Sequence, residues 1–322
     1  MTSTPVRRPQ ATTAIGEVAI LAAAVGWGTS TVLSVAALDR VRPADLVAVE
    51  LTGAAVVLLV VTAARGRLTK VGAARNFALG ALMPGLAFVL GDLGLSRTSA
   101  SAGSLLLAAD LPLSVLLSVV FLGEALRGWS IVALGLGISG SIVVAIGSGS
   151  TDGGASTTVG NLLVIASVAA AAGFLVVTRR YNGADGLNAT AWQTAGGAVC
   201  TAPFVLVGWS TGGSRLTDTG VGGWALCLGV LLSTAVAGVA FNWGITRVPG
   251  VRASQLLNVT PIAGLAAAVV FLAERPGAGQ LAGGLLVVLG VVLLVRFAEK
   301  PAGPVADLDA HPVGPLEDAA SL

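Results

Sequence analysis

Charged residues are almost absent from ten long stretches of this sequence, and this distribution constrains the fold more than any other feature. Each stretch contains at most one charge and is long enough to cross a hydrocarbon core of about 30 Å as a helix. The stretches are residues 18–38, 46–64, 76–96, 98–123, 128–151, 153–178, 186–214, 219–246, 253–273 and 276–295. Lipid offers the backbone no hydrogen-bond partners, and the runs lack the alternation of barrel strands, so helices are predicted throughout.

The composition excludes several other classes of protein. Hydrophobic residues make up 55% of the 322 residues and charged residues only 11%, whereas an average soluble domain is about a quarter charged. The net charge of +2 is too small for the basic face of a nucleic-acid-binding protein, so no nucleic-acid partner is expected. The single histidine, His311, lies in a polar tail. No metal site and no cofactor are therefore predicted.

The chain divides into four parts on the same grounds. Residues 1–17 are predicted to be a cytoplasmic N-terminal segment, and residues 18–151 and 153–297 to be two units of five spans each. Residues 298–322 contain several prolines and acidic residues, and this composition predicts a disordered cytoplasmic tail.

The positions of the basic residues predict the orientation in the membrane. With ten spans and the N-terminus in the cytoplasm, thirteen of the eighteen Lys and Arg residues fall on the cytoplasmic side. The five on the outer side are Arg40, Arg42, Arg97, Arg215 and Arg275. By the positive-inside rule, this split predicts a multi-pass protein of the cell membrane with both termini in the cytoplasm.

The two halves of the chain resemble each other. The sequence Val-Val-Phe-Leu-Gly-Glu at residues 119–124 recurs as Val-Val-Phe-Leu-Ala-Glu at residues 269–274, 150 positions later. Further matches at that offset are Gly94 with Gly244, Arg97 with Arg247, and Gly140 with Gly290. Because each half holds an odd number of spans, the second half must enter the membrane inverted relative to the first. The predicted fold is an all-α membrane protein of ten transmembrane helices in two inverted five-helix repeats, a design typical of secondary transporters.

These motifs resemble a known family. They include Trp27-Gly28 in the first run, Ser99-Ala100-Ser101 at the start of the fourth, and Glu124 and Glu274 at the ends of the fourth and ninth. Together with the duplication, they are similar to EamA-type transporters of the drug/metabolite transporter superfamily, over roughly residues 15–297. The resemblance implies transport of small metabolites through a central cavity. It does not identify the metabolite, because many relatives carry an arginine early in the second span, where this chain has Glu50.

Three acidic residues lie inside the predicted spans. A charge at membrane depth costs about 2.5–3.5 kcal/mol, so such residues face the bundle interior or a wet cavity. At a rise of about 1.5 Å per residue, Glu50 lies about 7 Å below the outer end of its span and Asp110 about 18 Å inside its own. Asp92 lies five residues before Arg97. Glu50 and Asp92 could instead be solvated or paired with a loop arginine, and Asp110 could bond only to a neighbouring helix.

The second half carries amides where the first half carries these acids. The repeat counterparts of Glu50, Asp92 and Asp110 are Gln193, Asn242 and Asn258. This pattern predicts a cavity with one titratable wall and one neutral hydrogen-bonding wall. Further candidate residues are Trp27 and Trp243 for stacking on a substrate, and Pro84, Pro112 and Pro261 as hinges.

The function predicted from these features is secondary transport by alternating access. A cavity with acids and no bases suits the export of amino acids, amines and other zwitterionic, cationic or neutral solutes. Proton antiport through the acids and passive efflux are both compatible with the sequence. The alternative is a non-transport intramembrane protein such as an acid-dependent enzyme. The different depths of Asp92 and Asp110 disfavour it, because a catalytic dyad needs carboxylates about 3 Å apart. No enzymatic activity is expected.

Overall fold

A computed structural model describes residues 10–123, 128–147, 157–178, 186–245, 247–248, 253 and 256–297 of the chain. All regular structure within these ranges is helical. The α-helices are α1 (Gln10–Leu38), α2 (Pro43–Ala64), α3 (Ala73–Gly80), α4 (Ala87–Leu95), α5 (Ala100–Leu107), α6 (Asp110–Leu122), α7 (Trp129–Gly147), α8 (Thr158–Thr178), α9 (Gly186–Gly212), α10 (Gly220–Ile245), α11 (Val259–Phe271) and α12 (Ala278–Phe297). A π-helical segment, Ala81–Leu86, joins α3 to α4.

Eight helical stretches are long and apolar enough to cross a membrane, so the protein is a multi-pass membrane protein. They are Ala14–Leu38, Pro43–Ala64, Ala73–Leu95, Ala100–Phe121, Trp129–Gly147, Thr158–Thr178, Gly220–Phe241 and Ala278–Arg296. The other two charge-poor runs form α9 and α11. Helix α9 has 27 residues but contains several amides and hydroxyls, and α11 has 13 residues. Helix α1 begins at Gln10, within the segment predicted to precede the first span.

Prolines interrupt three of the runs. Backbone dihedrals leave the helical region at Met83 (φ −139°, ψ 116°), immediately before Pro84. In the fourth run, α5 ends and α6 begins across Ala108 and Ala109, whose N–H groups bond to carbonyls three residues back. The break follows from Pro112, which has no N–H to donate to the carbonyl one turn earlier. Helix α11 begins just before Pro261, with Asn258 at its N-cap.

The most extensive helix contacts join the first half of the chain to the second. Helix α1 packs on α10 and α11, and α8 packs on α4 and α6. Helix α2 packs on α9, α5 on α11, and α7 on α12. Glycines permit the closest crossings. A Cβ atom at Gly94 of α4 would lie 2.9 Å from the carbonyl of Gly160, and one at Gly244 of α10 would lie 2.8 Å from the carbonyl of Gly16.

Candidate functional site

Glu50 anchors a chain of polar side chains that joins three helices. Its side chain on α2 is buried, with 5% of its surface exposed. The hydroxyl of Thr234 on α10 donates to Glu50 Oε1 at 3.0 Å. The Thr234 hydroxyl also lies 3.0 Å from the hydroxyl of Ser30 on α1. The sequence-predicted acid is therefore inside the bundle, where α1, α2 and α10 meet.

Asp92 is the second acid of this site. It lies on α4, is buried to the same degree, and interacts electrostatically with Glu50. Its Oδ2 atom has no hydrogen-bond partner within the part of the chain that the structure describes. Both acids are thus buried inside the protein, which contradicts the alternative that they are solvated at the surface.

The pair lacks a compensating charge. Among the described residues, no lysine or arginine bonds to Glu50 or Asp92. A buried carboxylate without a partner is strongly disfavoured and is normally neutralised by a proton or balanced by a cation. The arrangement can therefore accept a cationic group or a proton. Within the described ranges, no three His, Cys, Asp or Glu side chains are grouped so as to hold a metal ion.

Asp110 occupies a separate place. It is the first residue of α6, directly after the break in the fourth run, and its Oδ1 atom is buried without a hydrogen-bond partner among the described residues. The hydroxyl of Ser114, one turn later on α6, interacts with the carboxyl group. Helix α6 packs on α7 and α8.

Of the amides predicted to form the neutral wall, Gln193 and Asn258 have described side chains, and neither bonds to Glu50 or Asp92 within the described residues. Gln193 on α9 donates through Nε2 to Asn76 Oδ1 on α3 at 3.3 Å. Asn258 is half-buried at the start of α11, and its side chain does not cap that helix. The side chain of Asn242 lies outside the described residues.

The two candidate tryptophans differ in their surroundings. Trp27 on α1 packs against Phe241 on α10, with the ring centroids 5.3 Å apart. Trp243 is 41% exposed, and the guanidinium of Arg247 stacks on its ring at 3.7 Å. Arg247, one turn further along the chain, therefore occupies one face of the Trp243 ring.

The candidate hinges pack against glycines or lie buried. A Cβ atom at Gly197 of α9 would lie 2.9 Å from Pro84 Cγ, and one at Gly137 of α7 would lie 2.5 Å from Pro112 Cγ. Pro261 is buried within α11. Pro84 and Pro112 therefore lie at close contacts between helices.

Sequence reasoning missed several polar residues of the bundle. Thr234 and Ser30 were not singled out, because a hydroxyl in an apolar helix carries no sequence signal of its own. Asp45 is fully buried near the start of α2 and accepts hydrogen bonds from the side chains of Trp209 and Ser214 at 2.8 and 2.7 Å. The sequence feature that could have indicated a role for Asp45 is its position in the first turn of a helix, two residues after Pro43.

Comparison with known proteins places the chain in a family. A curated protein of Streptantibioticus cattleyicolor, named "Probable terminal-alkyne amino-acid exporter", is 28% identical over 212 residues, which cover 65% of this chain and 68% of that protein. A solved crystal structure aligns with 91% of this chain and 99% of its own at 19% identity, with a TM-score of 0.60, and supports the fold. The model of the EamA-like transporter family matches residues 14–146 and again residues 158–296. The chain therefore belongs to the EamA-like transporter family.

Proposed function

We propose that this protein exports small amino-acid-like or amine metabolites across the cell membrane by alternating access. The observation that supports this most directly is the buried pair of Glu50 and Asp92. A primary ammonium group supplies the positive charge that the pair lacks, and its N–H groups fit the unpartnered Asp92 Oδ2. Phosphate esters and dicarboxylates would be repelled by the same two groups.

The named relative supports the amino-acid class and the outward direction. Its printed name describes an amino-acid exporter, at 28% identity. An amino acid presents an ammonium group for the acids and a carboxylate for hydrogen-bond donors. The hydroxyl of Ser30, which lies 3.0 Å from that of Thr234, would turn toward the substrate and donate to that carboxylate.

Two inverted five-helix repeats are the architecture that we propose for this cycle. The packing of α1 on α10 and α11 is the counterpart of the packing of α8 on α4 and α6, as a twofold axis between the halves would require. The glycine contacts at Gly94 and Gly244 are also counterparts. In this arrangement α7 and α12 brace the bundle, and both termini lie in the cytoplasm, as the basic residues predict.

Motion between the two access states would use the broken helices. The interruptions at Pro84, between α5 and α6, and before Pro261 leave carbonyls free of helical bonds and weaken the helices locally. Rocking of one repeat against the other about these points would expose the Glu50–Asp92 pair to each side of the membrane in turn.

Proton coupling follows from the same site. When the substrate leaves, the acid pair again lacks a positive charge, and a proton is the simplest replacement. Exchange of a proton for the substrate at Glu50 or Asp92 would drive export by the pH gradient. Asp110 is the second candidate for carrying the proton, and passive efflux without coupling is the competing mechanism.

Transport in proteoliposomes tests these steps. The purified full-length protein would be supplied with amino acids, amines, dicarboxylates and phosphate esters, with and without a pH gradient. We expect flux of the first two classes only and stimulation by the gradient. Glu50→Gln and Asp92→Asn should each lower the flux at least about tenfold, whereas Asp218→Asn, in the exposed loop after α9, should not. Flux of dicarboxylates, or full activity in Glu50→Gln, would refute the proposed site. Unchanged pH dependence in Asp110→Asn would exclude a proton role for Asp110.

A further inference from the structure

A groove of about 730 Å³ lies between α1, α10 and the end of α11, away from the acid pair. One face of α1 forms the floor of the groove. The α1 residues that line it are three or four positions apart, and residues at this spacing lie on the same face of a helix. The lining residues are Thr29, Val32, Leu33, Ala36, Asp39 and Arg40 on α1 and at its end, Leu226 on α10, and Phe271 and Leu272 at the end of α11. The groove is thus apolar along its length and charged at one end.

The groove has the depth of one lipid leaflet. From Thr29 to Arg40 the chain advances eleven residues, which is about 16 Å at the helical rise. Half of a hydrocarbon core of about 30 Å is about 15 Å. The charged end therefore lies at the membrane surface beside the turn between α1 and α2, and the deep end lies near the midplane.

The interior of the groove suits hydrocarbon. Among the described lining residues, the only hydroxyl belongs to Thr29, and it already donates to the backbone carbonyls of Val25 and Gly26, at 2.8 and 3.0 Å. A polar ligand would find no free donor at depth, and its own polar groups would be left without partners. An acyl chain would bury apolar surface against Val32, Leu33 and Leu226 at no such cost.

The mouth of the groove suits a zwitterion. Asp39 and Arg40 are both exposed there and carry opposite charges. A Cβ atom at Gly222 would lie 2.8 Å from Arg40 Nη1, so the guanidinium rests on the first turn of α10, one turn above Leu226. Guanidinium groups bind phosphate strongly, and a carboxylate beside one pairs with an ammonium group.

We propose that this groove is a phospholipid site, in which an acyl chain lies between α1, α10 and α11 and a phosphoethanolamine headgroup rests on Arg40 and Asp39. Helices α1 and α10 line the groove and also carry Ser30 and Thr234, whose hydroxyls bond to each other beside the acid pair. A bound lipid would fill the space between these two helices. It would stabilise the present arrangement of α1 against α10 and α11, as any ligand of one conformation does. The site does not depend on which metabolite is exported.

Native mass spectrometry of the purified full-length protein tests the site. The protein would be stripped of lipid in detergent and then supplied with phosphatidylethanolamine or phosphatidylglycerol. We expect one retained phosphatidylethanolamine. Ala36→Leu, which fills the groove, should reduce its retention by about tenfold. Ala22→Leu adds the same volume to the exposed surface of α1 and should leave retention unchanged.

The headgroup is tested separately. Removing the negative charge by Asp39→Asn should shift preference from phosphatidylethanolamine toward phosphatidylglycerol by about fivefold, because only the phosphate contact would be left. As a second measurement, phosphatidylethanolamine should raise the unfolding temperature of the wild type and of Ala22→Leu but not of Ala36→Leu. Equal retention in the two leucine variants would overturn the groove as the binding site. An unchanged headgroup preference in Asp39→Asn would overturn the zwitterion contact.

Discussion

Glu274, in the loop after α11, accepts a hydrogen bond through Oε1 from the backbone N–H of Ala100 at 2.7 Å. Its other carboxylate oxygen accepts from the N–H of Ser101 at 2.8 Å. A side chain at the end of the ninth hydrophobic run therefore caps α5, at the start of the fourth run. The first N–H groups of a helix lack helical partners and carry partial positive charge, so a carboxylate is well placed there. Its repeat counterpart, Glu124, lies outside the described residues.

Replacing Glu274 should loosen this junction. Glu274→Ala removes both acceptors and is expected to cost about 1–2 kcal/mol in stability, the range for loss of a helix cap. Glu274→Gln keeps one acceptor oxygen and should cost less. Thermal unfolding in detergent measures the difference, and amide hydrogen exchange at Ala100 and Ser101 should increase in the alanine variant. Equal stability of Glu274→Ala and the wild type would contradict a capping role.

The hydroxyl of Thr234 should matter more than its methyl group. Thr234→Val keeps the shape of the side chain but removes the donor to Glu50 Oε1 and the contact with Ser30. Leaving the buried acid without this bond should cost about 1–3 kcal/mol and lower substrate flux. Thr234→Ser should restore most of both properties. Flux assays and thermal unfolding of the two variants provide the check, and a valine variant as active as the serine variant would refute the expectation.

Much of the fold could be predicted from the sequence because the bilayer allows few alternatives. In lipid only helices and closed barrels satisfy the backbone, and the charge-free runs lack the alternation of barrel strands, so they predict helices directly. The break before α6 was foreseeable from Pro112, because a missing N–H is a local property of the chain. The burial of Glu50 and Asp92 was foreseeable for a similar reason, since lipid excludes charge.

Long-range partners were not foreseeable. Serine and threonine in a helix usually bond to their own backbone, as Thr29 does, so the sequence does not distinguish Thr234, whose hydroxyl reaches another helix. Glu274 lies at the end of the ninth run, and the sequence does not indicate that it bonds to the start of α5, 174 positions earlier in the chain. The stacking of Arg247 on Trp243 is likewise a contact that the sequence does not indicate.

The contact between α3 and α9 should tolerate no side chain larger than hydrogen at Gly196. A Cβ atom there would collide with the backbone carbonyl of Phe77, which cannot move without shifting a helix. Gly196→Ala should therefore destabilise the protein by about 1–3 kcal/mol. The control is Gly135→Ala on α7, where a Cβ atom meets nothing within 4 Å. That change should be neutral or slightly stabilising, because alanine favours helices over glycine by about 1 kcal/mol. Unfolding temperatures that fall equally in both variants would count against the contact.

The electrostatic interaction between Glu50 and Asp92 should appear as non-additive stability. Two like charges destabilise each other, so removing either one relieves the repulsion, and removing the second adds little more. We expect Glu50→Gln and Asp92→Asn each to raise the unfolding temperature at neutral pH, with a coupling energy of about 0.5–3 kcal/mol in the double variant. Asp218→Asn combined with Glu50→Gln is the control pair and should be additive. Strict additivity of Glu50→Gln and Asp92→Asn would mean that the two carboxyl groups do not share a site.

Flux should behave in the opposite sense, because a site that holds a substrate cation is stabilised by losing its acids while it loses its function. Each single variant should transport at least about tenfold more slowly than the wild type, and the double variant should be no slower than the worse of the two.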